Sequence, residues 1–194
     1  MSRLVIGVTG ASGAPYAARL LQRLAGRADV HVVLSRNARL VWVDEVGVDV
    51  ESFGFPVWPH GDFTAPFASG SSGRGAMVII PCSSGALGRI AAGLSNDLLS
   101  RAAEVHLKER WPLALVLRES PLSLVASRNV VAVIEAGALV LPASPTFYGA
   151  PQSMDALLDT VVVRALDAVG ISLPDDGRWT GELRRFRYVP GEVA

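Results

Sequence analysis

Short apolar runs alternate with longer amphipathic stretches through most of the chain. The apolar runs predict β-strands at residues 3–8, 30–34, 76–80, 113–117 and 139–141. The amphipathic stretches predict α-helices at residues 14–25, 37–45, 85–92, 96–110, 123–136 and 153–169. Several strands are apolar throughout, as is typical of parallel strands covered by helices on both faces. The pattern predicts an α/β fold with a Rossmann-like parallel sheet in a single domain.

Two segments interrupt this alternation. Residues 60–75 are rich in Gly, Ser and Pro without periodicity, and they predict a mobile loop over a site. Residues 172–194 carry several arginines with little periodicity, and we expect this tail to dock on a neighbouring subunit. The predicted domain therefore spans residues 1–171.

Composition restricts the possible partners. The chain has 18 Lys plus Arg and 18 Asp plus Glu, so no overall field attracts nucleic acid or an anionic membrane. Half of its residues are hydrophobic, and we expect apolar surface to be buried in a homo-oligomer. The single cysteine, Cys82, excludes an intrachain disulfide. It fits a cytoplasmic protein, as does the lack of a signal-peptide pattern or a membrane-length apolar segment.

A glycine-rich turn at residues 9–14 follows the first predicted strand and precedes a helix. Its free N–H groups and the positive helix end predict an anion site at the carboxyl edge of the sheet. The spacing differs from GxGxxG, so a tight turn with Ser12 as helix cap explains it equally well. Ser35 follows the second strand at the same edge, where its hydroxyl serves either a ligand phosphate or the next helix.

A second turn of small residues, 81–85, follows the third predicted strand. The backbone donors of Ser83, Ser84 and Gly85 should converge on the same crevice as the first turn. Cys82 has no histidine in an obvious partner motif, so we interpret it as a buried small hydrophobe rather than a nucleophile.

Two cations on the helix at residues 96–110 share one face. Arg101 and Lys108 are seven residues apart, which places them on the same side of a helix. They form either a solvated face, with Glu104 pairing to Lys108, or a pair aimed at a phosphate.

Further polar groups follow the last two predicted strands. Glu119 comes directly after the fourth strand, where a carboxyl group can act on a bound ligand as acid or base. Tyr148 lies in a proline-stiffened loop after the fifth strand, and Arg164 lies on the last helix. Each of these residues is more often structural when it is seen alone.

Taken in order, these motifs resemble the signature series of the UbiX family of flavin prenyltransferases. The matching motifs are Gly10-Ala11-Ser12-Gly13-Ala14, Ala65-Pro66-Phe67-Ala68-Ser69-Gly70-Ser71, Pro81-Cys82-Ser83, Arg101-Ala102-Ala103, Leu107-Lys108-Glu109-Arg110, Arg118-Glu119-Ser120-Pro121, Leu141-Pro142-Ala143 and Phe147-Tyr148. The resemblance covers roughly residues 4–171. It implies a flavoprotein-type fold, commonly assembled as a dodecamer, that joins dimethylallyl monophosphate to reduced FMN at N5 and C6. The product, prenylated FMN, serves UbiD-type decarboxylases.

The resemblance also implies roles for individual residues. The residues implied to contact FMN are Gly10, Ala11, Ser12, Ser35, Cys82, Ser83, Ser84, Gly85 and Arg101. The residues implied to hold the prenyl phosphate are Lys108, Tyr148 and Arg164. Glu45 and Glu119 are implied to lie near the reacting centre, with Glu119 the preferred acid or base and Ser12 a possible relay. No metal is expected, because Asp175-Asp176 is not followed by the repeated acidic motif that holds magnesium against a diphosphate.

Two departures and two alternatives accompany this interpretation. Phe63 stands in the loop where the family often has Trp, and Arg36 stands where Lys is common.

One alternative is an FMN-dependent cysteine decarboxylase of the same fold, which uses a histidine base, but no histidine of this chain has a matching context. The other is a non-catalytic flavin carrier, which would need no site for a leaving phosphate.

Overall fold

The computed structural model describes residues 3–173, which form one parallel β-sheet between two layers of α-helices. The strands are β1 (Arg3–Val8), β2 (Val30–Leu34), β3 (Val57–Trp58), β4 (Gly75–Cys82), β5 (Leu113–Leu117) and β6 (Leu139–Pro142). The helices are α1 (Ala14–Arg23), α2 (Arg36–Val46), α3 (Ser84–Ala91), α4 (Leu98–Lys108), α5 (Leu124–Glu135) and α6 (Met154–Ala168). The strand order is β3-β2-β1-β4-β5-β6. The predicted Rossmann-like α/β fold is confirmed.

The hydrophobic core lies on both faces of the sheet. In β1, Leu4 and Ile6 pack beneath α1, α2 and α6, whereas the intervening Val5 packs beneath α3, α4 and α5. Every residue of β4 is buried. A central strand covered on both sides needs apolar residues at every position, and this explains the continuous apolar runs in the sequence.

Polar caps set where the helices begin. In every α-helix named above except α1, a side-chain oxygen at the start accepts a hydrogen bond from a backbone N–H in the first turn, which would otherwise have no partner. The capping residues are Ser35, Ser83, Asp97, Ser123 and Ser153. For this reason each of these helices begins within two residues of its predicted start.

Two features differ from the sequence prediction. The edge strand β3 was not predicted, because two residues between Pro56 and Pro59 leave no periodic pattern. The segment 60–75, predicted to be a mobile loop, is packed into the core through Phe67, which is only 1% exposed. Arg101 also donates a hydrogen bond to the carbonyl of Ala68 at 3.0 Å. The C-terminal tail lies outside the described residues, and its docking on a neighbour stays a prediction.

One outer face of the protomer is apolar. α5 and the edge strand β6 expose hydrophobic side chains that are each at least half accessible: Leu124, Val125, Val131, Ile134 and Leu139. Exposed apolar side chains on a helix and the adjacent edge strand are typical of a surface that another protein covers. In the part of the chain that the structure describes, no helix combines the length and the hydrophobicity required to cross a bilayer.

Candidate functional site

An open cavity of 510 Å³ lies at the carboxyl ends of β1, β2 and β4. The chain order reverses between β1 and β4, and open α/β sheets bind their ligands at such a point. The cavity, hereafter the crevice, is lined by Gly10, Ser35, Arg36, Asn37, His60, Ser83, Gly85, Arg89, Asn96 and Asp97. Four of the residues implied to contact FMN are therefore brought together here.

Glycines shape the turn after β1. A Cβ at Gly10 would lie 2.6 Å from the Cβ of Asn37, so only glycine lets this turn approach the start of α2 so closely. Gly13 has a φ of 110°, in the left-handed region, and precedes the first residue of α1. Between them Ala11 is buried and Ser12 is exposed.

The carboxylate of Glu45 binds the start of α1. Its Oε2 accepts hydrogen bonds from the N–H groups of Gly13 at 2.7 Å and Ala14 at 2.8 Å. Burial acts to raise the pKa of Glu45, but hydrogen bonds from the Ser12 hydroxyl and these N–H groups, with the nearby Arg118 charge, lower it overall. The anion site predicted at this helix end is thus bound by an anion of the chain itself. A ligand phosphate needs other donors of the crevice.

A buried hydroxyl joins the turn after β1 to the turn after β4. Thr9 Oγ1 donates to the carbonyl of Pro81 and accepts from the N–H of Ser83, both at 2.7 Å. The hydroxyl of Ser83 then accepts from the N–H of Ala86 at 3.2 Å and so begins α3. The two turns are therefore held at a fixed spacing beneath the crevice.

The wall of the crevice is open at Gly85. A Cβ at this position would meet no atom within 4 Å, and the residue is exposed. Gly85 lies in the first turn of α3, where backbone N–H groups lack carbonyl partners within the helix. Ligand atoms can therefore approach this backbone closely.

Glu119 and Ser84 form a hydrogen-bonded pair at the same edge of the sheet. The Ser84 hydroxyl donates to Glu119 Oε2 at 2.5 Å. This bond, followed by one from the N–H of Ser120 and by the charge of Arg118, lowers the pKa of Glu119. Glu119 is therefore a carboxylate at neutral pH, ready to accept a proton.

Arg118 connects this pair to the turn after β1. Its Nε donates to the carbonyl of Ser12 at 2.9 Å, and its charge acts on both Glu45 and Glu119. The two candidate catalytic carboxylates thus share one guanidinium.

Cys82 does not face the crevice. The side chain is fully buried in the core, and burial raises the pKa of its thiol to about 12. Its carbonyl accepts a hydrogen bond from the N–H of Arg118 at 2.9 Å. The thiol stays protonated at neutral pH, which supports its interpretation as a core residue rather than a nucleophile.

Three cations implied to contact FMN or to hold the prenyl phosphate are absent from the lining of the crevice. Arg101 forms an ion pair with Glu104 at 2.9 Å. Lys108, at the end of α4, pairs with Glu109 and lies about 15 Å along the helix from the end that borders the crevice. Arg164 is 68% exposed near the end of α6, with Asp167 at 3.8 Å.

Tyr148 is also outside the lining of the crevice. Its side chain is 42% exposed in the loop between β6 and α6. The three residues implied to hold the prenyl phosphate, Lys108, Tyr148 and Arg164, are therefore not brought together around the crevice within a single copy.

The crevice suits a cofactor that carries a phosphate. Its volume lies in the range of small-molecule and cofactor sites, which is about 300–1,000 Å³. The start of α2 contributes Ser35, Arg36 and Asn37, and helix starts with nearby cations favour phosphate oxygens. Gly10 and Gly85 keep the wall free of side chains. The described residues thus fit a mononucleotide.

Comparison with known proteins agrees with this fit. Residues 1–166 match the Flavoprotein family. The flavin prenyltransferase UbiX of Deinococcus radiodurans is 44% identical over 181 residues, which cover 91% of this chain and 93% of that protein. This chain belongs to the UbiX flavin prenyltransferase family.

Solved structures of UbiX proteins share the fold over nearly the whole chain. AnUbiX, crystallised with FMN and dimethylallyl pyrophosphate, has a TM-score of 0.88 and 36% identity over 93% of this chain and 98% of its own. A dodecameric FMN-dependent UbiX-like decarboxylase from Escherichia coli O157:H7 has a TM-score of 0.87 and 36% identity over 92% of this chain and all of its own. The cysteine decarboxylase SpaF, at 20% identity and a TM-score of 0.59, shares the fold alone.

Sequence reasoning assigned no role to several residues that build the UbiX-type site. Thr9 is the first residue of the glycine-rich turn, and Arg118 is one position before Glu119. Their positions at strand ends were the available signal, but their partners lie far away in sequence. Arg89, which lines the crevice from α3, had no such signal, because it looks like an ordinary helix-surface arginine.

Proposed function

We propose that this protein transfers the dimethylallyl group of dimethylallyl monophosphate to N5 and C6 of reduced FMN and releases prenylated FMN. The observation that carries the proposal is the open crevice between the turns after β1 and β4, with Glu119 held as a carboxylate at the same edge. Membership of the UbiX family supports the same reaction. The AnUbiX complex supports an allylic phosphate ester as donor.

The proposed FMN site uses both turns and the helix starts around them. Gly10, Ser35, Ser83 and Gly85 line the crevice, and Ser84 lies one residue from Gly85. Ala11 and Cys82 act by shaping the turns, since both are buried. Arg101 acts from α4, where it also secures the loop at Ala68. When bound, reduced FMN supplies the electron-rich ring atoms that form the new bonds to carbon.

The proposed acid–base group is Glu119, with Ser12 and Glu45 as a second pair. Closing the ring at C6 consumes the double bond of the prenyl group, so one proton adds to a prenyl carbon and one proton leaves C6. An ionised carboxylate such as Glu119 can accept the proton from C6. Ser12 binds Glu45 through its hydroxyl and can pass a proton along that hydrogen bond. Hydrogen bonds, and to a smaller extent the charge of Arg118, lower the pKa of both carboxylates.

The departing phosphate needs cations that one copy does not bring to the crevice. Negative charge develops on the phosphate as the allylic C–O bond breaks, and preorganised cations stabilise it. Lys108 and Arg164 are exposed and lie toward the ends of α4 and α6. We therefore place them, with Tyr148, in sites completed by neighbouring copies of a homo-oligomer. The dodecameric relative from E. coli supports an assembly of this size.

The proposed product determines the partner. Prenylated FMN has to reach a UbiD-type decarboxylase, and we place both proteins in the cytoplasm. The reaction needs no metal in this proposal, because the side chains of the protein neutralise the leaving phosphate.

The decisive test is the mass of the flavin made by the purified protein. Anaerobic incubation with reduced FMN and dimethylallyl monophosphate should yield a flavin heavier by one five-carbon unit, with or without EDTA. The diphosphate ester serves as the comparison donor, and Glu119→Gln should keep FMN while losing most turnover. Unchanged flavin beside bound FMN and intact donor would contradict the proposed reaction and favour a flavin carrier.

A second test asks whether the crevice is the flavin site. Gly85→Leu places a side chain in open space, and it also replaces a weak helix former by a strong one, worth about 0.8 kcal/mol. We expect FMN binding to be lost while the melting temperature of the flavin-free protein is kept or raised. Fluorescence titration with FMN and thermal unfolding measure the two effects. Unchanged FMN affinity would place the flavin elsewhere.

A further inference from the structure

Arg89 projects from the second turn of α3 into the crevice. It lies four residues after Gly85, so the two residues share one helix face, and both line the cavity. Its side chain is 34% exposed, but its Nε is buried and has no hydrogen-bond partner. Within residues 3–173 its closest ion-pair contact is Asp97, at the long distance of 3.9 Å. The exposed part of this guanidinium can donate hydrogen bonds to a ligand in the crevice.

Only one of the two carboxylate oxygens of Asp97 accepts hydrogen bonds from the described residues. Its Oδ1 accepts hydrogen bonds from the N–H and the hydroxyl of Ser100, both at 2.7 Å, and so caps α4. The other oxygen, Oδ2, faces Arg89 at 3.9 Å and accepts no hydrogen bond from the described residues. Asn96, the next residue along the crevice, adds an amide group. At this end of the crevice, the guanidinium of Arg89 and the amide of Asn96 can donate hydrogen bonds, and Asp97 Oδ2 can accept one.

A phosphate is a poor match for this set. A dianion next to Asp97 would be repelled by the carboxylate, whereas the start of α2 contributes Arg36 and Asn37 to the crevice without an acidic residue. The pyrimidine edge of a flavin presents a carbonyl, an N–H and a second carbonyl in a row. Guanidinium and amide donors suit the carbonyls, and a carboxylate oxygen suits the N–H.

We infer that Arg89 and Asp97 bind the pyrimidine edge of FMN, with Arg89 donating to a ring carbonyl and Asp97 Oδ2 accepting from N3–H. The inference rests on the proposed location of FMN in the crevice. In the reduced flavin the negative charge spreads over N1 and the adjacent C2 carbonyl, so a guanidinium at this edge also stabilises the reduced form. Arg89 thereby tunes the electron-rich state that the proposed reaction requires.

The test compares FMN with riboflavin, which has the same ring without the phosphate. Arg89→Met should weaken both ligands by about tenfold, as expected for loss of a hydrogen bond to a charged group. It should also move the reduction potential of bound FMN to a more negative value. Asp97→Asn keeps the helix cap, since asparagine caps as well as aspartate. It replaces the acceptor by a donor and should weaken FMN, but it should not weaken N3-methylriboflavin.

Arg39→Met is the matched control. Arg39 also lies on a helix that borders the crevice, but its guanidinium pairs with Glu51 at 3.0 Å, so this variant should bind both flavins like the parent. If Arg89→Met weakens FMN and leaves riboflavin unchanged, Arg89 serves the phosphate and the inference is wrong. It is equally wrong if neither ligand nor the potential changes while Gly85→Leu abolishes binding. If Gly85→Leu also has no effect, the error lies in the proposed location of the flavin.

Discussion

Glu45 shows how a single residue can change the use of a motif. A glycine-rich turn before a helix usually leaves its N–H groups for a ligand anion. Here the Glu45 carboxylate, more than 30 residues away in sequence, accepts the N–H groups of Gly13 and Ala14. The turn therefore positions Ser12, whose carbonyl accepts the Nε–H of Arg118. Under the proposed function, the phosphate of FMN binds at the start of α2 instead.

The lowered pKa of Glu45 makes its contribution to stability dependent on pH. Its folded pKa lies below the ordinary value of 4.5, so the stabilisation is complete above pH 4.5 and is lost as the pH falls through the folded value. Glu45→Gln should be less stable than the parent at neutral pH, and this difference should shrink in acid. Urea unfolding of both proteins across this range measures it. A difference that is independent of pH would contradict the assigned hydrogen bonds.

At the residue scale the sequence predicted positions better than contacts. Gly10, Ser35, Ser83 and Gly85 were placed at one edge because parallel strands end on the same side of a sheet. The Glu45 contact was not predictable, since nothing local links α2 to the start of α1. For Lys108 the sequence predicted the face of the helix on which it lies, but it did not predict the distance between this residue and the crevice.

At the scale of secondary structure, the central relation is the link between the turns after β1 and β4. The two strands are neighbours in parallel register, and Thr9 continues their pairing beyond the last ladder residues. Its hydroxyl joins the two turns, because it donates to the carbonyl of Pro81, which also accepts the N–H of Thr9, and accepts from the N–H of Ser83.

Removing this hydroxyl should loosen both turns together. Thr9→Val leaves the Pro81 carbonyl and the Ser83 N–H without a side-chain partner, which we expect to cost about 2 kcal/mol of unfolding free energy. FMN affinity should fall as well, because the spacing of the two turns is no longer fixed. Thr9→Ser keeps the hydroxyl and should restore most of the affinity. Denaturant unfolding measures the stability of both variants, and flavin titration measures their FMN affinity. Equal FMN affinity for Thr9→Val and Thr9→Ser would contradict the assigned role.

Secondary structure was predictable where apolar runs and polar caps agree. Asp97 and Ser153 each precede a helix and bind its first turn, which marks the boundary in the sequence itself. β3 gave no such signal, and its two residues become a strand only because β2 offers an unpaired edge. The segment 60–75 was predicted to be a mobile loop because its Gly, Ser and Pro content masks three core residues, Ala65, Phe67 and Ala68.

At the scale of the whole molecule, α5 and β6 carry an apolar surface that a single copy leaves exposed. Hydrophobic side chains at least half exposed are costly in water when they lie together. The proposed homo-oligomer would cover them.

A charge on this surface should weaken the assembly. Val131→Asp places a carboxylate on the exposed side of α5 without touching the core. We expect the particle mass from light scattering to fall while the helix content stays the same. Gln22→Asp adds the same charge to an exposed position of α1 and should keep the parental mass. Identical masses for all three proteins would exclude this face as an interface.

The distance along α4 between the crevice and Lys108 has a consequence for mixtures of intact and damaged copies. Under the proposed arrangement, each copy supplies the FMN-binding crevice of one site. It also supplies to another site the cations that bind the departing phosphate. A damaged copy in the assembly would therefore inactivate two sites, its own and the one to which it contributes cations. Turnover of a mixed population would fall more steeply than the fraction of intact chains, as in a dominant-negative mutation.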